Sequence, residues 1–318
     1  MNEIEIKLSF PSASEDIVLR ELTTLLEKKG NSRGLSNTYY DTPELSLRKS
    51  RWALRVRDMG GGRYEQTVKG MGKAQAGLHQ RIEHNWPISS KALDLGLLKK
   101  VSEFPAENVR KVQPVFLTDF VRTAWKIESA SAQNDALVGM GNDDFQIEIA
   151  CDLGVIKVDG RQDSPISEIE LELLHGQVES LISVGKRLVE SIPCWLYTPS
   201  KAARGYGLLA GGCGFNSSEI NSIATLSNWV DVMGRFVQKL ANVTPGSVEI
   251  SDFSLLIEVL EKKVLEANFA GDPWDELIVE SRALAKINGL EELAHKMSRS
   301  TWLGRAGMAI LSASLGNE

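Results

Sequence analysis

Cysteine is scarce in this chain of 318 residues: Cys151, Cys194 and Cys213, odd in number and without C-x-x-C spacing. That excludes a disulfide framework and a cysteine-based zinc site. Histidine is nearly as rare, with four in all; His79, His84 and His175 read as surface residues, and no histidine is given a role. No apolar run is long enough to cross a bilayer. The N-terminus opens on alternating charge rather than an apolar core, so no signal peptide is expected. There is no excess of positive charge; the formal balance of −6 argues against general binding to nucleic acid. Internal repeats and low-complexity segments are missing too. Together these absences predict a protein of a reducing, cytoplasmic setting with no membrane partner.

What is present is alternation. Glu3, Glu5 and Lys7 take every second position of the first stretch, and Ile4, Ile6 and Leu8 take the others. In a strand such neighbours face opposite sides, so one face is aliphatic and the other ionic. The same pattern recurs in Arg51–Asp58, Arg63–Lys69, His79–Pro87, Val115–Ile127, Asp144–Asp152, Val155–Val158 and Ser167–Leu174, about eight strands in all. Ser12 and Glu15 have the spacing of a capping box for a helix to Lys29. Helices are also expected at Ser89–Val101 and Val178–Glu190, with a helical turn at Pro199–Tyr206. Gly70–Gly77 reads as a loop. After Gly211-Gly212-Cys213-Gly214, a linker by composition, periodicity turns helical, with starts near Leu226, Phe253, Pro273, Leu290 and Leu303. Two units follow, 1–210 and 216–318.

The charges on the ionic faces are sorted. Lys7, Arg55, Arg57, Lys69, Arg81, Arg122, Lys126, Lys201 and Arg204 are basic; Glu3, Glu5, Glu168, Glu170 and Glu172 are acidic. Like charges two apart on one strand repel unless something of opposite sign lies above them. A polyanion satisfies the arginines and a divalent cation the glutamates. Ligands that are all oxygen suit Mg2+ or Mn2+ rather than zinc. Eight antiparallel strands are about enough to close a barrel. The expected fold is therefore α+β: an eight-stranded antiparallel barrel with charged faces inward and flanking helices outside, followed by a small all-α unit. Glu65, Glu83, Glu148 and Asp152 read as partners that orient the basic groups. Glu172, at a strand end, reads as outside the site.

Glu3-x-Glu5-x-Lys7 resembles the ExExK signature of the CYTH proteins, or triphosphate tunnel metalloenzymes. The resemblance continues in order through Tyr40-Asp41-Thr42, Ala53–Arg57, Gln66–Lys69, Arg81-Ile82-Glu83, Glu168–Glu172 and Ser200–Tyr206, over roughly the first 210 residues. It implies a triphosphate gripped in a tunnel by Lys7, Arg55, Arg57, Lys69, Arg81, Arg122, Lys201 and Arg204. It implies metal ions on Glu3, Glu5, Glu168 and Glu170, with Lys7, Glu5 and Glu170 closest to the chemistry. The layout resembles bacterial inorganic triphosphatases, in which a helical CHAD domain follows. The tail here is short and acidic, with the single histidine His295, and is read as a shortened CHAD-like unit, open to a protein partner or polyphosphate. The implied reaction is metal-dependent hydrolysis of inorganic triphosphate. An adenylyl cyclase, a thiamine triphosphatase and a nucleoside or RNA 5′-triphosphatase share the same grip. A polyphosphate-binding protein is the non-enzymatic alternative, against which the clustered glutamates argue.

Overall fold

The N-terminal alternation forms strand β1 (Asn2–Ser9), followed by α1 (Glu15–Leu25), β2 (Asn31–Asp41), the short α2 (Ser46–Lys49), β3 (Ala53–Asp58), β4 (Tyr64–Gln75), β5 (Leu78–Ile88), the short α3 (Leu95–Leu98), β6 (Gln113–Glu128), β7 (Gln146–Lys157), β8 (Ser164–His175), α4 (Val178–Ser191), β9 (Trp195–Leu196) and α5 (Lys201–Leu209). Helices α6 (Leu226–Ala241), α7 (Ile250–Glu266), α8 (Trp274–Leu284), α9 (Leu290–Met297) and α10 (Trp302–Leu315) complete the chain. The computed structural model describes residues 2–105, 111–129, 144–212, 214–241 and 248–315; Cys213 of the expected linker lies outside them.

The strands run β5-β4-β3-β2-β6-β7-β8-β1, and β1 pairs back to β5, closing an eight-stranded barrel of antiparallel strands. The short β9 extends from β1 outside that ring. Closure leaves no strand of the ring with an unpaired edge. It also fixes which side chains share the bore, since residues directly opposite one another face the same way. Glu3 lies opposite Arg81, Lys7 opposite Glu170, Arg57 opposite Asn37, and Asp152 opposite both Arg122 and Glu168.

The aliphatic faces turn outward. Ile6, Leu8, Ile147, Ile149, Ile169 and Leu171 are buried beneath α1 and α4 in one continuous core. That core also takes in Trp229, Phe236, Trp302 and Leu311 of the C-terminal helices, with α10 lying on α4 and β9. The indole N–H of Trp229 donates to the Leu256 carbonyl at 2.7 Å, and that of Trp302 to the Leu277 carbonyl at 2.9 Å, so both large rings are buried without an orphaned donor. Inside the barrel, one end is filled by Leu35, Tyr39, Phe116, Phe120, Ile156 and Ile166, sealed by Tyr206 of α5.

Several local expectations are corrected. Residues 70–75 continue β4 instead of looping; the register shifts between Lys69 and Gly72, and the turn comes at Ala76-Gly77. Val155–Val158 is not a separate strand, because β7 runs unbroken through Gly154. A Cβ there would meet the Asp119 carbonyl oxygen at 2.2 Å, so this glycine marks a close backbone approach rather than a turn. Asn31–Asp41, absent from the expected strands, is a full barrel strand. The helix expected over 89–101 shrinks to α3. Ser12 heads a short 3-10 turn, and the N-cap of α1 is Ser14 with no side-chain hydrogen bond, so the capping box does not form.

Candidate functional site

The bore encloses a cavity of about 580 Å³, within the usual range for small-molecule sites. Of the residues singled out from the sequence, Glu3, Lys7, Arg55, Arg57, Lys69, Arg81, Arg122, Glu170 and Lys201 line it. Glu5, Glu168 and Arg204 are buried but do not line it. Arg204, on α5, reaches Glu168 at 3.3 Å and the Pro165 carbonyl. Lys201 reaches the bore because Ser200 caps α5, accepting a hydrogen bond from the Ala203 N–H at 3.2 Å, which sets Lys201 at the first helical position.

The charges fall into three groups. In the first, Arg122 is bidentate to Asp152 at 2.7 Å on both arms and also meets Glu170. Lys201 Nζ stands among Asp152 at 2.6 Å, Glu170 at 3.1 Å and Glu168, and Lys7 meets Glu170. Burial alone would push Glu170 up, but Lys201, Lys7 and Arg122 together hold its carboxyl well below the usual range. In the second, Arg81 bridges Glu3 at 2.8 Å and Glu5 at 2.6 Å, and Lys69 bridges Glu3 at 2.7 Å and Glu83 at 2.9 Å.

The third group has no close carboxylate. Arg55 meets Glu83 only at 4.0 Å and its Nε has no hydrogen-bond partner, yet against burial Tyr39, Glu83 and Glu65 together hold its guanidinium above the usual range. Arg57 meets Glu65 only at 3.9 Å and donates from Nε to Asn37 at 2.8 Å. Burial, together with the charges of Arg55 and Arg122, pulls the Arg57 guanidinium down to about 9. It stays protonated at neutral pH while facing net repulsion.

The four glutamates expected to hold metal do not converge. Glu5 lies opposite Glu172 and Ser9 opposite Glu168, so Glu3 and Glu168 are six residues apart along the strands, roughly 20 Å. The carboxylates whose oxygens do come together, all within 4.8 Å, are Asp152, Glu168 and Glu170. Asp152, expected only to orient basic groups, thus joins the acidic cluster as well. The donor set fits a hard divalent cation. A positive charge already stands among the three oxygens in the form of the Lys201 ammonium.

Two residues that the sequence reading placed outside the site line the bore. Glu172 lines the cavity, and burial together with neighbouring Glu3 pushes its carboxyl up to about 7. His79, expected at the surface, is 5% exposed and lines the cavity opposite Glu5, with no hydrogen-bond partner at Nε2. Parity was the available signal, since His79 shares the strand face of Arg81 and Glu83, and Glu172 that of Glu168 and Glu170. Burial, and then the charge of Lys7, pull the His79 imidazole down from 6.5 to about 4. The unfolded chain therefore takes up a proton that the folded chain refuses. The neutral ring's contribution is intact above pH 6.5 and is lost as the pH falls towards 4, to a total of about 3 kcal/mol. Thermal melts across that window should show a shallower acid loss for His79→Gln than for the parent; parallel curves would refute the assignment.

The profile of the CYTH domain family matches residues 1–206. An inorganic triphosphatase from Haemophilus influenzae is 34% identical over 210 residues, covering 65% of this chain and 54% of that protein, so the chain spans about half the length of this curated relative. Among solved structures, an adenylyl cyclase candidate from Hippeastrum, described as having a dominant triphosphatase activity, aligns at 20% identity with a TM-score of 0.47, over 66% of this chain and 97% of its own. An adenylate cyclase candidate from Bacillus halodurans aligns at 18% identity with a TM-score of 0.34, over 57% and 86% respectively.

Proposed function

The chain belongs to the CYTH domain family, and from that premise we propose that it is a metal-dependent inorganic triphosphatase, cleaving triphosphate with water to pyrophosphate and phosphate inside the bore. The observation that carries this reading is Arg57, buried on the cavity wall beside Arg55 and Arg122 with its nearest carboxylate, Glu65, at 3.9 Å. Buried cations left this way are costly unless an anion completes them. A linear anion with several phosphoryl groups can engage Arg55, Arg57, Lys69 and Arg81 at once while Lys7, Arg122 and Lys201 exchange carboxylate partners for phosphate oxygens. Arginine offers paired donors to such oxygens, and lysine a point charge.

Phosphoryl transfer needs little covalent help, so the work of these side chains is to align the chain of phosphates and spread the charge of the transferred group. Asp152, Glu168 and Glu170 would hold Mg2+ or Mn2+; Glu3 and Glu5 can serve as ligands only once Arg81 and Lys69 release them. When bound, the ion supplies charge neutralisation and a more acidic water. The aromatic rings of the lining support an inorganic substrate over a nucleotide. Tyr39 stacks on Phe116 at 4.6 Å, Tyr206 packs edge-on to Phe116 at 5.1 Å, and Trp52 packs against Phe104 at 5.4 Å, so each is already engaged. The name of the Haemophilus relative points the same way.

The division into a tunnel domain over 1–210 and a shortened CHAD-like helical domain over 216–318 belongs to the same proposal, with the helices open to a protein partner or polyphosphate. The test is phosphate release from tripolyphosphate, ATP and thiamine triphosphate, with Mg2+, with Mn2+ and with chelator. Tripolyphosphate should be the preferred substrate, and chelation should abolish turnover. Cyclic AMP formed faster than tripolyphosphate is cleaved would overturn the reading.

A further inference from the structure

Helix α6 reaches the back wall of the bore through one hydrogen-bonded chain. The Thr198 hydroxyl donates to Asp231 Oδ1 on α6 and accepts from the Gly77 N–H at 3.1 Å. The Gly77 carbonyl accepts the Lys7 N–H at 2.9 Å, and the Lys7 carbonyl accepts the Tyr197 N–H at 3.0 Å. Thr198 itself lines the cavity, two residues before the cap of α5 that carries Lys201. The crossing is tight. A Cβ on Gly77, whose φ is +80°, would lie 2.8 Å from the Leu196 side chain and 3.1 Å from the Lys7 carbonyl oxygen. A Cβ on Gly234 of α6 would lie 2.8 Å from the Leu196 carbonyl oxygen. The helix, the β4–β5 turn, β1 and the segment leading into α5 therefore meet at one point behind Lys7 and Lys201.

We infer that Asp231 is a positioning residue for the phosphate grip: by holding the Thr198 hydroxyl it fixes the turn at Gly77 and the approach to α5, and so sets where Lys7 and Lys201 stand in the bore. The C-terminal helices then do more than cover the barrel, because one of their carboxylates is the far end of a chain that reaches two cations of the site. Asp231 touches none of the cavity-lining ions itself and acts through Thr198. A Thr hydroxyl already committed to the Gly77 N–H has one proton to give, and Asp231 is its acceptor; without that acceptor the hydroxyl can rotate away from its inward orientation. The activity readout of this role rests on the proposed triphosphate reading; the structural readout does not.

The test compares Asp231→Ala with Asp231→Asn, and Thr198→Val with Thr198→Ser, in the full chain. The Asn and Ser variants keep an acceptor and a hydroxyl respectively. Asp231→Ala and Thr198→Val should raise KM for tripolyphosphate by about tenfold, more than they lower kcat, as supporting partners of site residues do. Asp231→Asn and Thr198→Ser should stay within about twofold of the parent. Amide hydrogen exchange at Lys7 and Gly77 should accelerate in the first pair only. Gln238→Ala breaks a different contact of the same helix, to the Ser9 hydroxyl at 2.8 Å, and should leave KM unchanged. Melting temperature falling while KM and the two amides stay at parental values would reduce Asp231 to a packing residue and overturn the inference, as would Asn and Ala variants that are equally impaired. A parent that fails to cleave tripolyphosphate would sink the triphosphatase reading alone, because the exchange data still decide whether Asp231 holds the turn.

Discussion

Replacing Arg57 by glutamine should cost turnover of tripolyphosphate a factor of about 10² to 10³ and yet leave the substrate-free protein as stable as before, or more so. The two effects have one cause. Arg57 is buried, held by a single hydrogen bond to Asn37, and faces Arg55 and Arg122. A base whose folded pKa lies below its unfolded value makes the protonated folded state the costly one. The penalty grows as pH falls from the ordinary arginine range to about 9 and is present in full at neutral pH. A neutral side chain of similar length removes it, and replacement of poorly compensated buried charges is often stabilising by about 1–4 kcal/mol. Arg122 is the contrast. It is bidentate to Asp152 and also meets Glu170, so Arg122→Gln takes one cation from each of two buried carboxylates, leaving Asp152 only Lys201, and should cost stability as well as turnover. Urea melts of the two variants without substrate, run beside phosphate-release assays, separate a cation kept for its ligand from one kept for its fold. An Arg57→Gln protein that loses stability as Arg122→Gln does would place Arg57 in the second class and remove the main support for an anionic guest.

What could be read from residue order was the ionic strand, and what could not was the mixed one. In β1 and β8 one face is aliphatic and the other charged, so alternation shows both the strand and its inner face. In β2 the inward residues are Leu35, Asn37 and Tyr39 and the outward ones Ser36, Thr38 and Tyr40; the two faces are too alike for a period of two to appear. The expected number of barrel strands was nevertheless right, because the missed β2 was offset by counting β7 twice on either side of Gly154. A glycine in a strand is ambiguous in the same way: a turn and a close backbone approach both require the missing Cβ, and only the partner strand decides between them. The site was limited differently. Which carboxylates share a point in space depends on register between strands far apart in the chain. Asp152 joins Glu168 because β7 and β8 pair in that register, and nothing local to Asp152 reports it.

Glu170→Gln should give the other large effect, with the opposite balance. Its carboxylate answers three buried cations, Lys7, Arg122 and Lys201. Removing one partner of a buried ionic set leaves uncompensated charge, at about 3–5 kcal/mol, so the variant should melt lower in buffer free of metal and phosphate. The same three cations are then released to bind a polyanion. Tripolyphosphate without metal should bind Glu170→Gln at least as tightly as the parent and raise its melting temperature further, since stabilisation by a ligand grows with its concentration relative to Kd. Turnover should behave otherwise. Glu170 is one of the three carboxylates that converge within 4.8 Å, and losing it from the proposed metal set should lower hydrolysis by about 10² to 10⁴ at saturating Mg2+ or Mn2+. Stability, anion affinity and turnover thus move in three separable directions from one oxygen-for-nitrogen exchange. Calorimetric titration with tripolyphosphate, thermal melts and phosphate release on the same preparation would show it. Parental turnover in Glu170→Gln would free the acidic cluster from any part in catalysis and leave the bore as an anion receptor.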